Sequence, residues 1–211
     1  MCSSKQYWES RFDGLNPENY DFSQSKPLTE LVDFCHKHLH PGETVLDLAC
    51  GGGRNSHFLA ESGYQVYGVD FSESAIEFCR KRFSRFSLPG VFKVGSMDHI
   101  PFPDRSFGAV FCIAAIDHVR YEAAQKAIGE MRRVLKPEKL MLLTFDPLDT
   151  DQDIADQAEL LDDRSLNFIK GEHRGLIFHP YIDNEIRTLV GNDNITVFEY
   201  LEDGSRLVVS R

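Results

Sequence analysis

From residue 44 onward the chain alternates two kinds of hydrophobic pattern. Short runs rich in Val, Leu, Ile and Phe occupy residues 44–49, 65–70, 91–96, 107–115 and 139–145, each of strand length. Between most of them lie longer segments whose apolar positions recur at helical spacing, over residues 54–63, 73–86 and 122–136. Near-continuous apolar strands alternating with helices predict a mostly parallel sheet covered on both faces, an α/β architecture. The rhythm changes at the end. Residues 195–200 and 206–210 are strand-like runs joined by Leu201-Glu202-Asp203-Gly204-Ser205, whose Asp-Gly is a turn signal, so an antiparallel hairpin is expected.

Two segments fall outside the alternation. Residues 7–40 read as helical pieces broken by Pro17 and Pro27, and residues 147–180 as an acidic, helix-like insertion whose Ile154, Ala155, Ala158 and Leu161 would form an inner stripe. Its acids, Asp149, Asp151, Asp153, Asp156, Glu159, Asp162 and Asp163 with Asp146 before them, make either a solvated helix or a lid that turns polyanions away. At 211 residues and 42% hydrophobic content the chain supports one sizeable core, hence a single domain. A net charge of -10, with no run of Lys and Arg, argues against broad nucleic-acid binding. The five cysteines are widely spaced and three fall in apolar segments, as in a reducing compartment. The start offers no signal-peptide apolar region, and no stretch is long enough to span a membrane, so a cytoplasmic protein is expected.

The chemistry is concentrated in Val45-Leu46-Asp47-Leu48-Ala49-Cys50-Gly51-Gly52-Gly53-Arg54-Asn55, a buried strand that enters a glycine-rich turn and opens a helix. A dinucleotide fingerprint needs a third glycine where Ser56 stands. Asp47, at the strand end, would also repel a pyrophosphate while attracting the ammonium of an amino-acid ligand. Asp70 closes the second strand, 23 residues later, where a carboxylate can accept both hydroxyls of a ribose. At the third strand end, Gly95-Ser96-Met97-Asp98 can lay Met97 on a purine face. Adenosine joined to an amino acid is S-adenosylmethionine.

With these motifs, and with Arg133-Val134-Leu135-Lys136-Pro137, the sequence over residues 41–146 resembles the class I S-adenosylmethionine-dependent methyltransferases. The resemblance implies a Rossmann-like seven-stranded sheet with an antiparallel last strand. It also implies S-adenosylmethionine as cofactor and a small-molecule acceptor. By the same token Asp47, Ala49, Gly51 and Gly53 would surround the methionine moiety, Asp70 and Phe71 the ribose and adenine, and Ser96 and Met97 the adenine edge, with Ile113 beneath the ligand. Residues 1–40 then become an N-terminal helical lid, 41–146 the cofactor-binding half, 147–180 the insertion, and 181–211 a closing helix and hairpin. The sequence departs from the family pattern at Ala49 where glycine is common, at Ser96 and Gly108 where Asp is usual, and at Glu138-Lys139 in place of Gly-Gly.

Asp117-His118 follows the fourth strand, where an acceptor lies in such folds, and supplies the general-base candidates; a capping Asp117 with a packed His118 is the plain alternative. Tyr7, Trp8 and Arg11 are candidates to close over the cofactor, and His179 and Tyr181 to line the acceptor pocket. Two metal motifs fail: in Cys35-His36-Lys37-His38-Leu39-His40 only His36 and His40 share a helix face, and Asp149-Thr150-Asp151-Gln152-Asp153 lacks the Gly and Glu of a calcium loop. No metal is expected. A non-catalytic scaffold that binds S-adenosylmethionine is the alternative function.

Overall fold

The computed structural model describes residues 4–22, 25–147 and 156–211. Two N-terminal helices, α1 (Ser4–Phe12) and α2 (Thr29–His38), precede an alternation of β1 (Thr44–Leu48), α3 (Arg54–Glu61), β2 (Gln65–Asp70), α4 (Glu73–Arg85), β3 (Val91–Val94), β4 (Phe107–Cys112), α5 (Tyr121–Val134) and β5 (Leu135–Phe145). Three short strands follow, β6 (Ala158–Leu160), β7 (Leu166–Phe168) and β8 (Ile177–Phe178), then α6 (Asp183–Val190), β9 (Ile195–Tyr200) and β10 (Arg206–Ser210). The main sheet has seven strands in the order β3-β2-β1-β4-β5-β10-β9. β10 runs against both neighbours and every other strand points the same way.

Side-chain alternation explains the two cores. Leu46 and Leu48 of β1, with Val110 and Cys112 of β4, pack against Ala124, Ala127, Ile128, Met131 and Val134, which recur at helical spacing along α5. Val45, Ala109 and Phe111 face the other way, onto α2, α3 and α4. A third, smaller cluster joins Tyr7 of α1 to Phe168, Leu176 and Phe178 of the β6-β7-β8 sheet. Strands buried on both faces read as continuous apolar runs, which is why the sequence located them.

The insertion is the main correction. Its described part is an antiparallel sheet in which Ala158 pairs with Phe168 and Leu166 with Phe178, not a helix. Strands of two or three residues are too short to show a period of two, and much of the apparent helical stripe rested on Ile154 and Ala155, which lie outside the described residues with Asp149, Asp151 and Asp153. The fourth strand stops at Cys112 rather than 115, and the fifth begins directly after α5 at Leu135.

Backbone conformation at two positions and packing at a third bear on the departures from the family pattern. Ala49 and Glu138 have φ of 58° and 61°, the left-handed region that glycine adopts without cost. A side chain on Gly108 would begin 2.5 Å from Glu43 Oε2, which pairs with Lys139 at 2.8 Å, so an Asp there would oppose that carboxylate. Because the Glu138 side chain is almost fully exposed and its 3.9 Å ion pair with Arg211 is solvent-screened, relief of strain dominates the effect of Glu138→Gly. It is expected to raise stability by about 1 kcal/mol, a rise in melting temperature of about 2–4 °C, in calorimetry. A lower melting temperature would show that the conformation carries no strain.

Candidate functional site

The glycine-rich turn, the ends of β2 and β4, and helix α1 enclose a cavity of about 730 Å³, within the range of small-molecule sites. Ala49, Gly51, Asp70, Phe71, Gly95, Ser96 and Met97 line one end, and Ala114, Ala115, His118, Val119, Tyr121 and Ile177 the other. Ser4, Trp8 and Phe12 of α1 lie over it. The helix is pinned there by Glu9, whose carboxylate accepts the backbone N–H groups of Glu73 (3.0 Å) and Ser74 (2.9 Å) at the N-terminus of α4. Burial alone would raise the Glu9 carboxyl, but these bonds and those from the Ser72 and Ser74 side chains bring it below its ordinary value.

Asp70 is 7% exposed and both its oxygens already hold the loop: Oδ2 accepts from Gly51 N and Oδ1 from Ser72 N, each at 2.9 Å. It does not cap α4. That role belongs to Ser72, whose Oγ accepts from Ala75 N at 3.0 Å. Burial pushes the Asp70 carboxyl up, against the pull of these N–H groups. The Phe71 N–H adds to these contacts, so of the roughly four acceptor positions of a carboxylate one is left for a ligand.

Not every expected residue reaches the cavity. Asp47 is buried beneath the loop with Oδ2 2.6 Å from the Ser56 hydroxyl that donates to it, and burial raises its carboxyl to about 6. Gly53 opens α3 in the left-handed conformation, and a Cβ there would lie 2.4 Å from Cys79 Sγ. It therefore sets the approach of loop and α4 rather than touching the cavity. Ala114, with φ of 51°, turns the chain after β4, so that Ala114 and Ala115 face the cavity while Ile113 lines a neighbouring recess of about 240 Å³ with Arg54 and Asn55. That recess shares Phe12, Ala49 and Ala114 with the main cavity.

The base candidates separate. In the short helical turn Ile116–His118, His118 faces the cavity while Asp117 is fully buried, its Oδ2 accepting from Asp146 N at 3.1 Å. Burial raises the Asp117 carboxyl well above its usual range, and Asp146 adds to that. For His118, burial lowers the imidazole below its ordinary value and Asp146 opposes the shift. Trp8 packs against the His118 ring, centroids 5.1 Å apart. Tyr7 and Arg11 belong instead to the far side of α1, where Tyr7 is buried with His173 within 3.3 Å of its hydroxyl. His179 and Tyr181 are buried below the cavity, and His179 Nδ1 lies 3.0 Å from Ser165 Oγ. Nothing in the sequence pattern connects Asp146 and Arg206 to His118. The available signal was that a residue just beyond β5 must flank residues just beyond β4 once those strands are neighbours.

This strand order and loop define a Rossmann-like methyltransferase domain, and the comparisons agree. Residues 45–138 match the family described as methyltransferase domain. Relatives include a fatty-acid O-methyltransferase of Mycolicibacterium smegmatis, 30% identical over 64% of this chain and 52% of that protein. Another is a 2-methyl-6-phytyl-1,4-hydroquinone methyltransferase of Synechocystis, 33% identical over 62% of this chain and 41% of that protein. A solved structure from Pyrococcus horikoshii is 26% identical with a TM-score of 0.73, over 86% of this chain and 87% of that one. The chain spans about half the length of the curated relatives it matches. Over residues 45–138 it is similar to the methyltransferase domain family, whose class I members use S-adenosylmethionine as cofactor.

The residues present fit this group. Asp70 keeps acceptor capacity at the cavity wall, Phe71 and Met97 offer apolar surface for a purine, and Gly51, whose Cβ would sit 3.3 Å from the Phe12 ring, leaves backbone exposed where a side chain would intrude. Two buried acids, Asp47 and Asp70, beside the loop oppose a pyrophosphate.

Proposed function

We propose that this chain transfers the methyl group of S-adenosylmethionine to a small-molecule acceptor, with His118 as the base when the acceptor must lose a proton. The observation that carries this reading is the single cavity joining Asp70, Phe71 and Met97 to His118 and Trp8, so that cofactor and acceptor share one chamber under α1. When bound, the cofactor supplies an activated methyl group on a sulfonium. The chain has to hold a nucleophile in line at about 3–3.5 Å, exclude water and take up a proton where one is released. Trp8 and Phe12 cover the chamber, Asp70 orients the ribose, and Ala49, Gly51, Ser96 and Met97 frame the remainder of the cofactor. Asp47 and Gly53 act one layer out, through Ser56 and Cys79, and Ile113 lines the recess beside the methionine end. The relatives named for a fatty acid and a hydroquinone support a small acceptor. No helix among the described residues is long and apolar enough to cross a membrane. The four described cysteines are unbridged. Both facts support placement in the cytoplasm.

S-adenosylhomocysteine at 100 times its Kd is expected to stabilise the fold by about 2.7 kcal/mol, a rise in melting temperature of about 5–10 °C, while NAD leaves it unchanged. Thermal scans decide this, and a shift with NAD alone would overturn the reading. Release of S-adenosylhomocysteine with an acceptor separates an enzyme from a scaffold.

A further inference from the structure

Beyond the ends of the adjacent strands β4 and β5, two buried side chains from separate segments hold the backbone of a third residue. The backbone of Asp146 is clamped on both sides: its N–H donates to Asp117 Oδ2 at 3.1 Å, and its carbonyl accepts from Arg206 Nη1 at 2.6 Å. Arg206 is 1% exposed and fixed in turn by a second bond, from Nη2 to Tyr181 O at 2.6 Å. So held, Asp146 places Oδ2 3.8 Å from His118 Nε2. The imidazole sits between the rings of Trp8, 5.1 Å away, and Phe178, 6.1 Å away. Its Nδ1 is fully buried, which leaves the Nε2 edge for the cavity.

We propose that Asp146 is a positioning residue that makes His118 a base for oxygen, so that the site methylates the hydroxyl of a neutral, flat, weakly acidic compound of the phenol or enol class. This rests on the methyltransferase reading above. Transfer to such an acceptor forms an O–C bond and breaks the C–S bond of the sulfonium, leaving its electron pair on sulfur, while the hydroxyl proton passes to His118 Nε2. The imidazolium so formed lies beside the Asp146 carboxylate, which stabilises it. A thiolate or neutral amine would gain nothing from this arrangement, because neither needs a proton removed before attack.

The cavity walls narrow the acceptor further. Among the described residues, the two cationic side chains lining it are paired with acids, Arg120 with Asp162 and Asp163 and Lys126 with Glu122 at 2.8 Å, so the wall favours an acceptor without carboxylate or phosphate. Trp8, Met97, Val119, Tyr121 and Ile177 provide flat and apolar surface instead. Groups that bear on the proton affinity of His118 are Asp146 from the end of β5 and the backbone of Ile177, both favouring the charged form against burial, while Asp117 and Arg206 hold the Asp146 backbone. Trp8 of α1 and Phe178 of β8 pack on the ring and do not titrate.

The test uses the full chain and its Asp146→Asn and Asp146→Glu variants. Nuclear magnetic resonance titration of the His118 ring, without any ligand, should show its pKa falling by roughly one pH unit in Asp146→Asn, since an opposite charge at this range favours the charged form. The second readout is S-adenosylhomocysteine release from a naphthol, the matching naphthalenethiol and the matching naphthylamine. The naphthol should be methylated. Asp146→Asn should lower its kcat at least tenfold and move the acidic limb of the kcat/KM profile to lower pH, Asp146→Glu should recover part of the rate, and S-adenosylhomocysteine affinity should hold in both. The proposal is overturned if the His118 pKa is the same in wild type and Asp146→Asn, or if S-adenosylhomocysteine binds yet the naphthol is inert, whether or not the thiol or amine reacts. Absence of S-adenosylhomocysteine binding would overturn the methyltransferase reading itself, which keeps the two failures apart.

Discussion

Asp70→Ala is expected to weaken S-adenosylhomocysteine binding by two to three orders of magnitude in calorimetry. The acceptor capacity left on its carboxylate meets a ribose hydroxyl, and a hydrogen bond to a charged group contributes roughly 1.5–3 kcal/mol. Losing that bond together with the loop support costs about 3–4 kcal/mol, or a factor of roughly 150 to 900. The same change strips the Gly51 and Ser72 N–H groups of their partner, so the glycine turn loosens at the point where it frames the ligand. Helix α4 keeps its own cap through Ser72 Oγ and Ala75 N, which is why the fold should survive. Asp70→Asn, with one carbonyl oxygen left to accept, should fall between wild type and alanine. An affinity within threefold of wild type, in an alanine variant that still unfolds cooperatively, would assign Asp70 to loop support alone.

What the sequence made legible was what is local along the chain. The turn at Gly51 and Gly53 follows directly from a buried strand and precedes a helix, so its place was readable without knowledge of any neighbour. Asp70 was readable for the same reason. The hairpin of β9 and β10 announced itself through Asp203-Gly204. Hidden features depend on which strands become neighbours. Asp146 and His118 are 28 positions apart and meet because β5 lies beside β4. Arg206 reaches Asp146 only because β10 inserts between β5 and β9. Glu9 pins α1 to α4 across 64 positions, with no sequence pattern linking the two.

Orientation at strand ends was the second thing the sequence concealed. Period-two reasoning ends where the strand ends, and after Cys112 the backbone enters the left-handed conformation at Ala114 before a three-residue helical turn. That turn sends Asp117 down and His118 up, although the two are consecutive. The paired candidates thus separate into a buried carboxyl that holds Asp146 and an imidazole that faces the cavity. The left-handed backbone at Ala49 and Glu138 gives family glycines a conformational reason, which a residue-type pattern alone does not supply.

Asp47→Asn should make the ligand-free protein more stable above pH 6 and about 1–2 kcal/mol less stable below pH 4, where only the unpartnered amide remains. Asp47 is 2% exposed and burial lifts its carboxyl to about 6, against about 3.9 for a free aspartate. A raised folded-state value means that the native state holds the proton more tightly than the unfolded chain. Below about pH 4 both states are protonated and there is no penalty. Between pH 4 and 6 the unfolded chain ionises first, and stability falls as pH rises. Above pH 6 both are ionised, and the full cost of the buried charge persists at about 3 kcal/mol, because each pH unit between the two states' titrations is worth about 1.4 kcal/mol. Asparagine keeps the shape and can still accept from Ser56 Oγ, while its amide N–H groups need partners of their own, so a net gain of about 1–2 kcal/mol is expected, or about 3–6 °C at pH 8. On the proposed reading the same charge attracts the ammonium of the cofactor's methionine end through the loop, so removing it should weaken S-adenosylhomocysteine binding while strengthening the fold. Melting curves from pH 3.5 to 8 with and without S-adenosylhomocysteine measure both effects at once. A variant less stable than wild type at pH 8, or a stability gain that does not shrink on acidification, would show that Asp47 is not held ionised at a cost within the fold.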